Sequence, residues 1–460
     1  MTEKCAKCLG KCVVIPKRYV IIMMMFWSLF NTYMQRTAIT VAIMIMSEPP
    51  ADFVNKPLNW GHHMQGFILS SYNWFYPFLQ IPGGYLADIY GAKRVLAFVG
   101  GCVGTLTLLV PIGVTYGDFY AMITIRGLSG LLEGMTIPIS LNVVAKWAPP
   151  MERATMSTYA SSGLMLGITV SNALTGWLME VTKNWHYVFY LYGSLSVLWL
   201  IFWWLLVFNS PATHPYISDE EKTFILEEQA KMNITDKPKK IPFKAVFTSC
   251  PMWAMIIAQC GQDYSFFVFS VMFPKFVNDV IHYDIRDNGL ISAIPYLLMF
   301  IFSISISKIC DWILRKKWTS VGVIRKTCNT ISCTVTSTLL IVAFYIGDLP
   351  DVMIAFFVVA FAFRSFYYPG VKINMLDLAP NYAGTLAGIV NCIGAVVGAA
   401  GPTITSAIIT HSNRDEWCIV FWKTAVFLLV SGIVFLIFGS GELQWWNDAE
   451  QRPPRPAPTA

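Results

Sequence analysis

The chain has 460 residues, of which 55% are hydrophobic and only 13% are charged. Soluble proteins usually carry roughly 25% charged residues, so this composition excludes an ordinary soluble domain and predicts an all-α polytopic membrane protein. The net charge of +6 does not indicate nucleic-acid binding, because the basic residues are concentrated in a few loops.

Apolar runs recur along the chain, and most are long enough for a transmembrane helix, which needs about 20 residues. The first six, named spans 1 to 6 in chain order, cover residues 19–46, 65–87, 95–115, 119–144, 155–178 and 187–208. The second six, spans 7 to 12, cover residues 251–277, 288–308, 321–346, 351–374, 383–410 and 417–439. The sequence therefore predicts twelve transmembrane helices.

These spans divide the chain into five parts. They are an N-terminal tail (1–18), a six-helix bundle (19–208), a linker (209–250), a second six-helix bundle (251–439) and a C-terminal tail (440–460). Lysine and arginine accumulate in the N-terminal tail, in the linker and at 308–326. By the positive-inside rule, these segments and both termini are cytosolic. The proline-rich end of the chain is expected to be disordered.

The eleven cysteines do not indicate disulfides or a metal site. Most lie in or beside apolar spans, where cysteine behaves as a small hydrophobic residue. Cys5, Cys8 and Cys12 cluster in the N-terminal tail, but no histidine is near to complete a zinc site. Palmitoylation of this cluster and reduced thiols without a role both stay open, and no cofactor is expected.

A similar loop follows the second span of each set of six. GGYLADIYGAKR (83–94) follows span 2, and SKICDWILRKK (307–317) follows span 8. Each loop has a carboxylate followed by clustered basic residues. The recurrence predicts two six-helix pseudo-repeats, the architecture of the major facilitator fold.

We expect these two loops to act as cytosolic gates. A carboxylate that accepts from a basic partner in only one conformation biases a two-state equilibrium. The alternative is a basic loop that sets the topology and has no gating role. The predicted gating residues of the loops are Gly84, Asp88, Gly91, Lys93, Arg94, Asp311 and Arg315.

Two further local patterns concern packing. Gly163 and Gly167 form a G-x-x-x-G pair in span 5, which is typical of close helix packing. In the linker, Ser218 followed by Glu221 predicts the capped start of a surface helix.

Four longer segments carry a family resemblance. They are RGLSGLLEGMTIPISLNVVAKWAPPMERA (126–154), SPATHPYISDEEKTFI (210–225), NMLDLAPNYAGTLAGIVNCIG (374–394) and FGSGELQWW (438–446). Together they resemble the anion:cation symporter family of the major facilitator superfamily, which includes sodium–phosphate cotransporters, sialin and the vesicular glutamate transporters. The chain looks most similar to the insect inorganic phosphate cotransporter type, over a region from about Arg18 to Trp446.

The resemblance implies coupled movement of organic or inorganic anions through a central cavity between the two halves. The family's span-1 arginine matches Arg36, its span-4 arginine matches Arg126 and its span-4 glutamate matches Glu133. It also places Glu152 and Arg153, at the start of span 5, among the cytosolic gating residues.

Three positions depart from the family's glutamate and sialic acid carriers. Leu69 and Leu141 stand where those carriers have histidines, and Gln262 stands where the glutamate carriers have an arginine in span 7. These departures argue against a vesicular glutamate transporter. They also leave the proton-coupling scheme open, since Glu133 would act without its histidine neighbour.

Arg36 is the first charge inside a predicted span. An arginine at the centre of a lone helix costs roughly 2.5–3.5 kcal/mol on insertion scales, so it faces a cavity or a partner rather than lipid. Its planar guanidinium suits bidentate capture of a carboxylate or phosphate. A structural ion pair is the alternative interpretation.

Arg126 and Glu133 are two helical turns apart and therefore share one face of span 4. A buried carboxylate whose charge is balanced by a nearby arginine is a candidate proton- or sodium-coupling group. A permanent salt bridge between spans is the alternative for Glu133.

Arg364, in the middle of span 10, is a second candidate for anion contact. Its alternative role is an ion pair with Asp263 of span 7, which is otherwise a second ion-coupling candidate. Neutral side chains that could add hydrogen bonds to the substrate are Tyr33, Gln262, Tyr264 and Asn391. Asp377, just past span 10, is interpreted as a cytosolic gate or cap.

The sequence therefore predicts a secondary active transporter for inorganic phosphate or a small organic anion, coupled to sodium or protons. A transport-inactive receptor or scaffold that kept the fold is the alternative. An enzyme is not expected, because no set of metal ligands or activated nucleophiles shares one depth. We expect a monomer in the lipid bilayer that binds no nucleic acid. The plasma membrane is favoured, and a lysosomal or vesicular membrane stays open.

Overall fold

The structure is a computed structural model that describes residues 15–230, 241–276, 285–345, 350–409 and 414–447. Regular secondary structure in these residues is entirely helical, as the composition predicts. The cysteine cluster of the N-terminal tail and the proline-rich end of the chain lie outside the described residues. Predictions about those two segments therefore stay predictions.

The first half of the chain forms seven helices that follow spans 1 to 6. They are α1 (Lys17–Ser47), α2 (His62–Phe75), α3 (Gln80–Tyr90), α4 (Ala92–Glu133), α5 (Thr136–Trp147), α6 (Arg153–Thr182) and α7 (His186–Leu206). The linker adds two short helices, α8 (Asp219–Ala230) and α9 (Phe243–Thr248).

The second half follows spans 7 to 12. Its helices are α10 (Cys250–Phe276), α11 (Ile285–Arg315), α12 (Val321–Tyr345), α13 (Pro350–Arg364), α14 (Ile373–Leu378), α15 (Ala383–Ile408) and α16 (Arg414–Phe438). Among the described residues, 7 helical segments are long and apolar enough to cross a membrane by length and composition. This is consistent with a polytopic membrane protein.

Span 2 is not continuous, contrary to the prediction. It is divided into α2 and α3, and the residues between Phe75 and Gln80 form turns. Pro77 lies in this break. A proline inside a helix removes one backbone hydrogen bond and its ring clashes with the preceding turn, so the break has a local cause.

Spans 3 and 4 are joined more tightly than predicted. The expected loop at 116–118 is reduced to a single non-helical residue, Asp118, with φ 45° and ψ −132°. The Asp118 carboxylate accepts a hydrogen bond from the indole N–H of Trp60 at 2.7 Å. This contact fixes the reversal within α4 against the start of the α2 segment.

Both packing predictions are confirmed. A Cβ atom on Gly163 would overlap the carbonyl oxygen of Phe26, and one on Gly167 would lie 2.6 Å from the carbonyl oxygen of Phe30. Helices α1 and α6 therefore touch backbone to backbone. In the linker, the Ser218 hydroxyl accepts from the backbone N–H of Glu221 at 3.3 Å, which caps α8.

Candidate functional site

Arg36 lies on α1 inside a cage of three tyrosine rings. Its guanidinium carbon is 4.6 Å from the ring centre of Tyr72, 5.3 Å from that of Tyr76 and 5.4 Å from that of Tyr33. One Nη atom donates to the side-chain oxygen of Asn73 at 2.8 Å. Cation–π contacts of this kind hold a guanidinium without neutralising its charge.

Tyr72 also connects Arg126 and Glu133 to this cage. The guanidinium carbon of Arg126 is 4.8 Å from the centre of the Tyr72 ring, and the Tyr72 hydroxyl donates a hydrogen bond to the carboxylate of Glu133. Arg126 and Glu133 are buried, with 7% and 2% of their surface exposed. The structure thus brings Tyr33, Arg36, Arg126 and Glu133 together, as the sequence predicts.

These charges do not pair with one another. In the part of the chain that the structure describes, no N–O distance within 4.0 Å joins Glu133 to Arg36 or Arg126. The Nε atom of Arg126 has no hydrogen-bond partner among these residues. The alternative role of Glu133 as a permanent salt bridge is therefore wrong for this conformation.

The cage lies where the two halves of the protein meet. Tyr72 and Tyr76 form a separate apolar cluster with Ala395 of α15, in the second half. On the other side, Cβ atoms on Gly130 and Gly134 of span 4 would overlap the carbonyl oxygens of Tyr72 and Tyr76. Small residues therefore let span 4 contact the backbone next to both tyrosines.

Span 4 is interrupted at Glu133. Helix α4 ends at Glu133, α5 begins at Thr136, and the two residues between them form a turn. Pro138 explains the interruption, because it cannot donate a backbone hydrogen bond to the carbonyl of Gly134. Gly134 and Met135 keep right-handed helical dihedrals, so Glu133 lies beside a local distortion of one continuing span.

Span 10, which corresponds to span 4 in the second half, is also broken. Its regular part ends at Arg364, and residues 365–372 form a 3-10 turn followed by a π turn before α14. Pro369 and Gly370 lie in this break, and Gly370 has a non-helical ψ of −106°. The prediction of a continuous span 10 is therefore wrong. Interrupted helices at corresponding positions of two repeats are typical of the binding sites of transporters.

Arg364 is 2% exposed and stacks between aromatic rings. Its guanidinium carbon lies 4.8 Å from the ring centre of Phe266 and 5.2 Å from that of Tyr367. One Nη atom of Arg364 donates to the backbone carbonyl of Gln262 at 2.9 Å. Asp263 instead accepts from the side chain of Gln259 at 2.9 Å. Over the described ranges no ion pair joins Arg364 to Asp263, so that alternative is not observed.

Three neutral candidates point elsewhere. The amide of Gln262 donates to Ser332 at 3.1 Å, in α12. The ring of Tyr264 packs on Phe427 of α16 at 5.1 Å, and Asn391 donates to a carbonyl of its own helix. None of these side-chain contacts is with Arg36 or Arg364, and Gln262 meets Arg364 only through its backbone carbonyl, so this conformation gives the predicted substrate contacts of all three side chains no support.

The first cytosolic gate contact is between Asp88 and Thr385. Asp88, near the end of α3, accepts from the backbone N–H of Thr385 at 2.9 Å and from its hydroxyl at 2.7 Å. The amide of Asn142 donates to the other carboxylate oxygen at 2.5 Å. Thr385 is the third residue of α15, so a carboxylate of the first half caps a helix of the second half.

The second gate contact is between Asp311 and Thr155 and repeats the first with the halves exchanged. Asp311, near the end of α11, accepts from the backbone N–H of Thr155 at 2.7 Å. Thr155 is the third residue of α6. In neither contact is the carboxylate partner a basic side chain, so the predicted ion pair is not formed in this conformation. The partner is the N-terminus of a helix, which attracts negative charge in the same way.

A third contact across the halves involves buried charges. Asp377 lies 3.7 Å from a guanidinium nitrogen of Arg153 in the first half and 2.7 Å from that of Arg325 in the second. Arg153 also donates to the carbonyl of Leu376 at 3.1 Å. These contacts, with those of Asp88 and Asp311, join the two halves at the end of the bundle that the sequence predicts to be cytosolic.

Other predicted gating residues have different surroundings. Gly84 packs directly on the backbone of Gly384, and Gly91 has the positive φ of 88° that glycine tolerates. The amine of Lys93 lies 4.2 Å from the ring centre of Phe208, while Arg94 and Arg315 are exposed. Glu152 pairs with Arg18 at 3.3 Å within the first half.

Several members of the site were not predicted from the sequence. Tyr72, Tyr76 and Asn73 lie in SYNWFY, whose four-residue tyrosine spacing and nearby Pro77 could have drawn attention to this segment. Lys372 was also missed. It is only 6% exposed, and its amine lies 4.9 Å from the ring centre of Tyr368 in the span-10 break.

The fold and the site define a class of protein. Two helical halves meet at one closed end, and the buried Arg126 and Arg364 form no ion pair within the described residues. This is an integral multi-pass membrane protein with the architecture of a transporter built from two repeats.

Comparisons with known proteins agree with this class. The family model described as Major Facilitator Superfamily matches residues 21–327. The "Putative inorganic phosphate cotransporter" of Drosophila melanogaster is 31% identical over 96% of this chain and 88% of its own length. Vesicular glutamate transporter 2 of Homo sapiens is 34% identical over 98% of this chain and 78% of its own length.

Solved structures show the same fold at low identity. The proton:xylose symporter XylE has a TM-score of 0.72 and 13% identity, covering 95% of this chain and 99% of its own. The human organic anion transporter MFSD10 has a TM-score of 0.68 and 14% identity, covering 91% and 100%. The chain belongs to the major facilitator superfamily, in the group that contains these phosphate cotransporter and glutamate transporter relatives.

Proposed function

We propose that this protein is a secondary active transporter that moves inorganic phosphate or a small organic anion by alternating access, driven by sodium or protons. The observation that carries the proposal is the pair of guanidiniums of Arg36 and Arg126, whose carbons lie 4.6 and 4.8 Å from the ring centre of one residue, Tyr72. No carboxylate in the described residues pairs with either of them. Buried charges are costly unless they are compensated, and a bound anion would supply the compensation.

The chemistry of these side chains favours a planar or tetrahedral oxyanion. Both are arginines, and a guanidinium stays charged and offers its donors as a fork that matches carboxylate and phosphate oxygens. The named relatives support the same class, since inorganic phosphate and glutamate are both oxyanions. Arg364 provides a similar guanidinium in the second half, and we propose that it contributes to the site when the halves close on the substrate.

Glu133 is the proposed coupling residue. It is hydrogen-bonded to Tyr72, the ring on which both arginines stack, so its charge acts directly on the anion site. A proton or sodium ion that neutralised Glu133 would leave the two arginines less compensated and would strengthen anion binding. This reciprocal effect of two ligands on one another is what coupling requires.

The contacts of Asp88 with Thr385 and of Asp311 with Thr155 are the proposed basis of the conformational change in alternating access. In this conformation the gates are closed, so substrate release to the cytosol requires both helix-capping contacts to break. Because each carboxylate caps a helix of the opposite half, the contacts resist the separation of the halves and have no effect within one half. We propose that the halves rock about the Arg36 region as these contacts form and break.

The test is uptake of radiolabelled phosphate, glutamate and dicarboxylates into proteoliposomes with an imposed sodium or proton gradient. We expect gradient-driven uptake of at least one of these anions. Arg36→Ala should reduce it to background, and Arg36→Lys should restore little, because lysine keeps the charge but loses the fork. Lys244→Ala, which removes an exposed linker cation, is the matched control and should transport normally.

Two outcomes would contradict the proposal. If none of the anions enters under either gradient while the protein remains folded, the receptor or scaffold interpretation is favoured. If uptake occurs but Arg36→Ala and Lys244→Ala transport equally well, the anion does not bind at Arg36 and the guanidinium is a structural charge.

A further inference from the structure

A small polar cavity lies behind Glu133, within the first half of the protein. Its volume is about 20 Å³, and it is formed between α1, α4, α5 and α7. The polar residues that line it are Ser28, Asn31, Thr32, Gln35, Glu133, Thr136 and Ser196. A cavity holds one water-sized particle once it offers about 10–15 Å³, so this one has room for a single water molecule or a small ion.

Two of the lining oxygens have no protein partner. Asn31 and Thr136 are only 4% and 1% exposed, yet the Oδ1 atom of Asn31 and the Oγ1 atom of Thr136 accept or donate no hydrogen bond within the described residues. The amide nitrogen of Asn31 is engaged, since it donates to the carbonyl of Leu195 at 3.3 Å. The free atoms of both side chains are therefore oxygens.

The orientation of Gln35 is fixed by its neighbours. Its amide nitrogen donates to the hydroxyl of Ser196, and its amide oxygen accepts from the hydroxyl of Thr107 at 2.6 Å. These bonds hold the oxygen of Ser196 at the cavity wall. Hydroxyl and amide oxygens and one carboxylate therefore line one part of the cavity, residues such as Leu96, Val99 and Trp199 line the rest, and no basic side chain is among the lining residues.

We infer that this cavity is a sodium site in which Glu133, Asn31 and Thr136 are the principal ligands. Hard cations select oxygen ligands, and one carboxylate balances one monovalent charge. A divalent cation would leave an excess positive charge in the membrane, next to two arginines. The volume also admits potassium, which is close to water in size, so the measurement below compares sodium with potassium directly.

This inference rests on the proposed function, because it takes Glu133 to be the coupling residue of the anion site. Glu133 borders the sodium cavity and also accepts from Tyr72, which carries both arginines, so one carboxylate is shared between a cation site and an anion site. Sodium in the cavity would hold the carboxylate and remove its attraction for the guanidiniums. The anion would then bind the arginines more tightly.

Sodium binding can be measured without transport. We would follow the thermal unfolding midpoint of the full chain in nanodiscs, without substrate anion, while sodium chloride replaces choline chloride or potassium chloride at constant total salt. A ligand that binds only the folded state raises this midpoint with its concentration. We expect a saturable rise with sodium alone.

The deciding variant is Thr136→Val, which removes one ligand oxygen and keeps the side-chain shape. Losing one interaction with a charged group should raise the half-saturating sodium concentration about tenfold or more. The matched control is Thr105→Val, because Thr105 is exposed on α4 and its hydroxyl only donates to its own helix. Asn31→Leu removes the other unpartnered oxygen and keeps the test valid if Thr136→Val does not fold.

The outcomes separate this inference from the proposed function. No sodium-specific rise in the wild type, or the same half-saturation in Thr136→Val or Asn31→Leu as in Thr105→Val, would overturn the sodium site. If anion uptake still occurred under a proton gradient, the transporter proposal would stand alone. A sodium-specific rise that Thr136→Val weakens would support the site even if no tested anion were transported.

Discussion

Removing the Asp88 carboxylate should open the cytosolic end of the protein. Asp88→Ala deletes the acceptor of two hydrogen bonds from Thr385, at 2.9 and 2.7 Å, which cross between the halves. Hydrogen bonds to a charged group contribute about 1.5–3 kcal/mol. Because both bonds end on one oxygen atom, we take about 2–3 kcal/mol for the pair. This corresponds to about a 30- to 150-fold shift from closed to open.

Hydrogen–deuterium exchange detects this shift without any labelling of side chains. In Asp88→Ala, backbone amides at the start of α15, at the end of α3 and at the start of α6 should all exchange faster, because the two contacts open together. Asp88→Asn should lie between the wild type and Asp88→Ala, since it keeps an acceptor but loses the charge. Combining Asp88→Ala with Asp311→Ala should expose both contacts with roughly additive free energies, because the contacts share no residues.

Asp219→Ala is the matched control for this experiment. Asp219 is also an aspartate at a helix N-terminus, but it is exposed and belongs to the linker helix α8. It should leave exchange at α3 and α15 unchanged. If Asp88→Ala exchanges at the wild-type rate in both segments, the contact between Asp88 and Thr385 does not hold the halves together.

Two further substitutions test the closed cytosolic end. Gly84→Ala should lower uptake at least tenfold, since its Cβ atom would overlap the backbone of Gly384 and prevent the halves from closing; proteoliposome uptake measures this. Asp377→Asn should destabilise the protein by about 3 kcal/mol, because breaking a buried ion pair leaves the charges of Arg153 and Arg325 uncompensated; the thermal unfolding midpoint should fall.

Each of these substitutions has a control at a comparable residue. Gly66→Ala adds the same methyl group where no atom lies within 4 Å, and its uptake should equal that of the wild type. Asp219→Asn makes the same chemical change at an exposed carboxylate and should not move the unfolding midpoint. Normal uptake by Gly84→Ala, or an unchanged midpoint in Asp377→Asn, would contradict the packing or the ion-pair argument respectively.

The helices themselves could largely be predicted from the sequence. Span 1 was expected at 19–46 and is observed at Lys17–Ser47, since a long apolar run leaves the backbone no choice but to form its own hydrogen bonds. The breaks were missed in spans 2, 4 and 10, although each contains a proline. Whether a proline breaks a helix depends on how neighbouring helices satisfy the free carbonyls, and a single sequence does not show that.

The charged part of the site was easier to predict than its neutral part. A buried arginine or glutamate is costly in a membrane, so Arg36 and Glu133 stand out in an apolar run. Gln262 does not carry this cost and faces α12 instead. Helix α10 has apolar residues on all sides, so its sequence does not reveal which face meets the central cavity. The tyrosine cage was missed because contacts between spans are not encoded in local spacing.

The exchange of helix caps between the halves has a consequence for how the protein moves. Asp88 caps α15 and Asp311 caps α6, and in both cases the third residue of the helix donates. Because the two contacts are related by the internal repeat, neither half can tilt away at the cytosolic end without breaking both. Closure is therefore cooperative. A helix N-terminus also presents a fixed array of donors, whereas a lysine or arginine side chain could follow the carboxylate as it moves away. Capping contacts are consequently lost over a short displacement, which makes the gate a two-state element.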